Sequence, residues 1–210
     1  MLTGKRQRNN KRRVPKYGTL QPGPYVPTII VSKVFRFQAA SALSGYVVQT
    51  RDLGDMLCVA VTATSAYQLA KAIRVRKVEM WGVAGQDGRS GSTISIDWLG
   101  GTAGTIGSNI KQSDSTIGTA RIPHLVSKPN KMSQAAQWQA ANQSPADLFS
   151  ITLPANGVID VHLSLVLLDD AGVNAVTAAV AGATVGQLYC RALASNASTS
   201  SLPPVSFPTI

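Results

Sequence analysis

The residues able to do chemistry are few and scattered. His124 and His162 are the only histidines, and neither has a serine or cysteine spaced to make it the base of a nucleophilic pair. His162 alternates with Asp160 along a strand-like run and reads as a solvated surface pair, while His124 follows Pro123 in a loop. Asp52 with Asp55, and Asp169 with Asp170, offer oxygen ligands for calcium at a subunit contact, but helix N-terminal and turn acids explain them more simply. Cys58 and Cys190 form no C-x-x-C and have no neighbouring histidine, so they read as two buried, reduced thiols rather than as a zinc site or a disulfide framework. The glycines of GGTAGTIGS (100–108) lack the following G-K-[ST] and helix of a phosphate cradle, and no G-x-S-x-G elbow occurs. The expectation is a protein that is not an enzyme and holds neither a cofactor nor a metal.

The chemistry that does stand out is electrostatic. The 210 residues carry 20 Lys+Arg against 10 Asp+Glu, a formal charge of +10. No acid precedes Asp52, so the first 51 residues hold the entire excess and the remainder is balanced. KRQRNNKRR (5–13) sets Lys5, Arg6, Arg8, Lys11, Arg12 and Arg13 in nine residues, with Lys16 just beyond. Its composition cannot bury enough apolar surface to order itself, so a disordered, polyanion-following arm is expected. Each phosphate neutralised by such an arm releases counterions, which makes binding steeply salt-dependent and indifferent to sequence. The same run has the composition of a nuclear import signal. A second basic group, KAIRVRK (71–77), places Arg74 and Arg76 on one face of a strand, which reads equally as an exposed sheet surface or as an interior wall facing nucleic acid; on the second reading both are nucleic-acid contacts. Tyr17 and Tyr25 are candidates for stacking beside the arm, and Trp81, Trp98 and Trp138 read as core or interface anchors.

The body that must position these groups reads as strands. Period-two alternation and β-branched residues mark 28–38, 45–50, 72–82, 92–99, 115–122, 148–153, 158–168 and 185–193. In 72–82 the apolar phase slips between Val75 and Val78, as an extra residue near Arg76 and Lys77 would cause. Helical signals are confined to 52–58, 62–70 and 133–141, the last with Ser133 as its cap. The uncharged stretch 171–190 is too rich in glycine and too poor in leucine for a membrane span, and no membrane partner is expected. The division expected is a basic arm and Pro/Gly connector over 1–27, a body over 28–193 and an uncharged tail over 194–210. Eight strands with decorated loops point to an all-β, single eight-stranded antiparallel jelly-roll sandwich with short loop helices.

An acid-free basic arm before such a body resembles the coat proteins of small icosahedral viruses with single-stranded genomes. QTRDLGDMLCVA (49–60), AIRVRKVEMWGV (72–83), TIGTARIPHL (116–125), SQAAQWQ (133–139) and LFSITLPANGVIDVHLSLVL (148–167) resemble the capsid proteins of circular, Rep-encoding single-stranded DNA viruses. The resemblance implies a homo-oligomeric closed shell of about 60 copies, by the symmetry such shells obey. It also implies an arm inside that shell binding a single-stranded genome, DNA favoured and RNA left open, and residence in the virion and, during assembly, the host nucleus. A non-assembling β-sandwich nucleic-acid-binding protein is the alternative on the same residues. Deleting residues 2–16 is expected to leave the circular dichroism spectrum unchanged and to remove most nucleic-acid retention; an unfolded deletion mutant, or unaltered retention, contradicts the separation of arm and body.

Overall fold

The computed structural model describes residues 28–84, 91–100, 109–117, 121–141, 145–168, 175–176, 182–193 and 201–205. In chain order the strands are β1 (Ile30–Gln38), β2 (Leu43–Gln49), β3 (Leu57–Ala60), β4 (Ala66–Gln68), β5 (Ala70–Trp81), β6 (Gly91–Trp98) and β7 (Ile110–Ile117). They continue with β8 (His124–Ser127), β9 (Gln139–Ala140), β10 (Asp147–Leu153), β11 (Val158–Leu167), β12 (Ala175–Val176) and β13 (Leu188–Cys190), and one short helix, α1, spans Thr50–Gly54.

Two sheets make the body, ordered β1-β11-β5-β8 and β2-β10-β6-β7, and all their pairings are antiparallel. Of these eight strands in sequence order, the first sheet takes the first, eighth, third and sixth, and the second takes the second, seventh, fourth and fifth. That order is the jelly roll: every connection crosses between sheets except the β6–β7 hairpin. A third, smaller sheet, β12-β4-β3-β13, is built from excursions of the chain between and after the sandwich strands. Alternation along each strand supplies the core. Phe35, Phe37, Ile73, Val75, Val78, Met80, Ile159, Val161, Leu163 and Leu165 come from one sheet, and Val48, Ile94, Ile96, Trp98, Phe149, Ile151 and Leu153 from the other, all buried. Trp98 packs on Phe149 with ring centres 5.2 Å apart, and its indole N–H donates to the Ser127 hydroxyl at 2.6 Å.

The bulge foreseen in β5 is present: His162 faces Lys77 and Leu163 faces Val75, so Arg76 is the residue without a counterpart. Other local expectations fail for local reasons. Residues 62–70 form no helix; Thr62, Thr64 and Ser65 bond one another and the backbone in a turn, an alternative that Ser and Thr offer the chain, and Ala66–Gln68 then pairs with β3. The helix expected over 52–58 starts earlier and stops at Gly54, because the Asp52 carboxylate accepts the Gln49 backbone N–H and Leu57 is drawn into β3. Around Ser133 there is a single 3₁₀ turn, Gln134–Ala136, and the Ser133 hydroxyl donates to the Asn130 carbonyl instead of capping. The strand expected over 115–122 splits: β7 begins at Ile110, as a polar edge strand whose alternation is hidden in KQSDS, and β8 starts only at His124. Residues 185–193 yield only Leu188–Cys190, in the small sheet and not in the sandwich.

Residues 201–205 lie along the outer edge of β1. Pro204 bridges to Phe37, the Gln38 N–H donates to the Pro203 carbonyl at 3.1 Å, and the Val205 N–H donates to the Arg36 carbonyl at 2.8 Å, with Leu202 buried. An edge strand is thereby partly covered by the chain's own later residues. Phe37 is buried between these parts, so Phe37→Ala is expected to lower the free energy of unfolding by about 3–5 kcal/mol in denaturant titrations. Ile117→Ala, at a side chain 83% exposed, should stay within about 0.5 kcal/mol of the unmodified protein.

Candidate nucleic-acid interface

Lys5, Arg6, Arg8, Lys11, Arg12, Arg13 and Lys16 of the arm, and Tyr17 and Tyr25 after it, lie outside the described residues. Arg74 and Arg76 are described. The core phase of β5 runs through Ile73, Val75, Val78 and Met80, and the bulge lets Arg76 and Lys77 follow one another on the outer side without turning Val78 outward. Arg76 is exposed, and its Nε donates to the Ser164 hydroxyl of β11 at 2.8 Å; that hydroxyl also meets the Ser32 hydroxyl of β1 at 3.1 Å. Arg74 is half-buried, with its Nε shielded from solvent and without a hydrogen-bond partner. Among the described residues neither arginine forms an ion pair.

Further along the same outer face the charges are matched. Arg36 of β1 grips Asp160 of β11 through Nε and Nη2, both at 2.7 Å, and its guanidinium lies 5.5 Å from the Trp81 ring centre. Trp81 in turn stacks on His124, with ring centres 5.1 Å apart and planes 12° from parallel. Glu79 sits between, bonded to Lys77 Nζ at 2.7 Å and to His124 Nε2 at 3.0 Å, with His162 Nε2 at 4.0 Å. The Lys77 bond, aided by that of His124, holds the Glu79 carboxyl below the usual carboxylate range against its partial burial. His162 is shifted the other way from a paired histidine: burial, then Lys77, holds it below the ordinary 6.5, against the pull of Asp160 and Glu79. His162 is therefore more than a solvated surface pair with Asp160: it belongs to a six-member charge network with Arg36, Asp160, Glu79, Lys77 and His124, which spacing in one strand could not reveal because Glu79 and His124 arrive from other strands. Among the described residues no group of three or more His, Cys, Asp or Glu is arranged to hold a metal ion.

The remaining candidates take structural places. Asp55 is buried against Arg51 at 3.3 Å and Arg191 at 3.7 Å, with desolvation raising its carboxyl above the ordinary value. Cys58 and Cys190 are both free and buried, and burial pushes the Cys190 thiol up to about 12, far from a reactive thiolate. Trp98 is a core residue, whereas Trp138 is 40% exposed and Trp81 lies in the outer-face stack, so a core role fits only one of the three. Ser32 and Ser164, silent in the sequence, support Arg76; only the pairing of β1, β11 and β5 brings them there.

No family model matches the chain, and no curated protein matches it. Among solved structures it is similar to the virus-like particle of extra small virus of the giant freshwater prawn Macrobrachium rosenbergii, at 9% identity and a TM-score of 0.39, over 77% of this chain and 94% of that one. It is similar also to Desmodium yellow mottle tymovirus, at 11% identity and a TM-score of 0.40, over 75% of this chain and 99% of that one. Turnip yellow mosaic virus aligns at 12% identity and a TM-score of 0.37, over 74% of this chain and 90% of that one.

A histidine held below its unfolded value binds its proton less readily in the folded state, so its contribution to stability is full above about pH 6.5 and is lost as the pH falls toward the folded value. Thermal melting of the unmodified protein should accordingly weaken between about pH 7 and 5, and His162→Gln should flatten that stretch of the profile. A profile with the same slope in both proteins places the acid sensitivity elsewhere.

Proposed function

We propose that this protein is the coat protein of a small icosahedral virus, which assembles into a closed shell and packages a single-stranded genome through its basic N-terminal arm. The observation that carries the reading is a coincidence of place: the acid-free arm leads in sequence into β1 at Ile30, at the end of the sheet where Arg74 and Arg76 stand without ion-pair partners among the described residues. A free monomer gains little from such an arm. A closed shell gathers many arms in one volume, so each bound stretch of polyanion favours capture of the next. With about 60 copies, the seven arm cations apiece give roughly 400 positive charges toward the genome, the order of charge that counterion release turns into packaging affinity.

Surface composition supports assembly. Ile29, Ile30, Val34, Ile117, Ile122, Val126, Met132 and Val185 are large apolar side chains left exposed on the single chain, several of them on edge strands. Burial between copies removes them from water. The genome is read through phosphates and needs no base recognition, so the contacts that hold it cannot tell DNA from RNA. DNA is preferred on the sequence resemblance alone, and the same arm then serves as the import signal for assembly in the host nucleus.

Electron microscopy of the protein expressed alone, with the 260 to 280 nm absorbance ratio taken on the same fraction, tests this. Uniform closed particles with a high ratio are expected. Monomers or dimers that persist across salt and pH conditions, while still retaining nucleic acid, transfer the function to a non-assembling β-sandwich nucleic-acid-binding protein.

A further inference from the structure

We infer that the outer face of the first sheet carries a second site for single-stranded nucleic acid, in which Arg74 and Arg76 hold a phosphodiester and Trp138 stacks on the adjoining base. The inference rests on the nucleic-acid reading above and adds to it a place and a preference for unpaired strands.

The register of the sheet brings these residues together. Ile30, Val166, Ala72 and Ala140 stand side by side on β1, β11, β5 and β9. Two residues on, Ser32, Ser164 and Arg74 form the next row of the outer face. The β5–β9 pairing runs from Ala72 opposite Ala140 to Ile73 opposite Gln139, and one further step of that register sets Trp138 opposite Arg74. The ladder itself ends at Gln139; carried one step further, it puts the indole, 40% exposed, on the face of the sheet that Arg74 occupies.

Each member is suited to its part. Ser164 takes the Nε of Arg76, which fixes the guanidinium and leaves the two Nη groups as a planar fork for phosphate oxygens. The Arg74 Nε is buried without a partner, a donor lacking its acceptor. Among the described residues the acids of this face are Asp160 and Glu79, which lie in the rows beyond Lys77 and are held by Arg36, Lys77 and His124, so of those residues none offers a free carboxylate to an anion at Arg74 and Arg76. An aromatic beside two arginines is the pairing that binds single strands, because a base can stack on a side chain only when it has left its own stack. β1, the strand that follows the arm in sequence, begins at Ile30, one row from Arg74.

Fluorescence anisotropy of the full chain tests the site, with a short labelled oligothymidylate and a labelled duplex of the same length, each titrated across a salt series. Arg74→Gln with Arg76→Gln should reduce the slope of log affinity against log salt for oligothymidylate by about 1.4, the loss of two phosphate contacts on a single strand. Arg74→Lys with Arg76→Lys should retain the slope, which separates lost charge from lost fold. Trp138→Ala should weaken oligothymidylate binding about tenfold, leave its salt slope unchanged and leave duplex binding alone. Lys111→Gln with Arg121→Gln, exposed cations on and beside β7 of the second sheet, should leave the slope within about 0.3 of the unmodified chain. Equal slope losses in the two glutamine pairs, or a Trp138→Ala effect that is the same on both probes, overturn the site while leaving the nucleic-acid reading intact. An unmodified chain that binds neither probe overturns both.

Discussion

The register of β11 between β1 and β5 is the constraint on which the rest of the structure depends. Nine consecutive pairs join it to β1 and ten residues of β11 have partners on β5, so one strand fixes both neighbours. Because side chains alternate, that single register decides two faces at once. Inward it sets Ile159, Val161, Leu163 and Leu165 into the core; outward it presents Asp160, His162 and Ser164, each answered by a different group from the strands on either side. A slip of one residue would exchange the two sets, burying a carboxylate and exposing four large aliphatics.

The outer face is consequently divided. Around Asp160 and Glu79 every acid has a cation in contact, and Trp81 is held between Arg36 on one side and a stacked His124 on the other. Around Ser164 the described residues of the same face include Arg74 and Arg76, the latter with hydroxyl support, and no acid. The bulge at Arg76 sharpens this division. A regular β5 would have to turn either Lys77 or Val78 to the wrong side, whereas the extra residue keeps Val78 in the core and adds a cation outside. Packing and charge are satisfied by one local irregularity.

Strong alternation was the part of the fold legible in the sequence: β1, β6, β10 and β11 follow directly from it, and the phase slip in β5 betrayed its bulge. What escaped was set by partners distant in sequence. β7 is polar along most of its length and is a strand because β6 offers it eight paired residues. β8 is four residues long and has no alternation to read, yet β5 fixes it. Residues 62–70 have helix-forming composition in part, but the threonine and serine bonds of the turn and the offered edge of β3 outweigh it. Of the site, the two arginines on β5 were visible as a basic strand. The serine support of Arg76, the exposure of Trp138 and the histidine–glutamate network were not, since each depends on cross-strand neighbours that no window of sequence contains.

The pairing of β1 has a kinetic side. Among the described residues β1 finds its strand partners in 158–167 and 201–205, so during synthesis those pairings wait until residues 158–167 have left the ribosome. A sandwich closed by its first and last strands is high in contact order, and such folds form slowly because long loops must close before any of those contacts form. The cationic arm, made before the body, is therefore exposed to the cell's polyanions while the body behind it is still incomplete, and folding and first encounter with nucleic acid overlap in time.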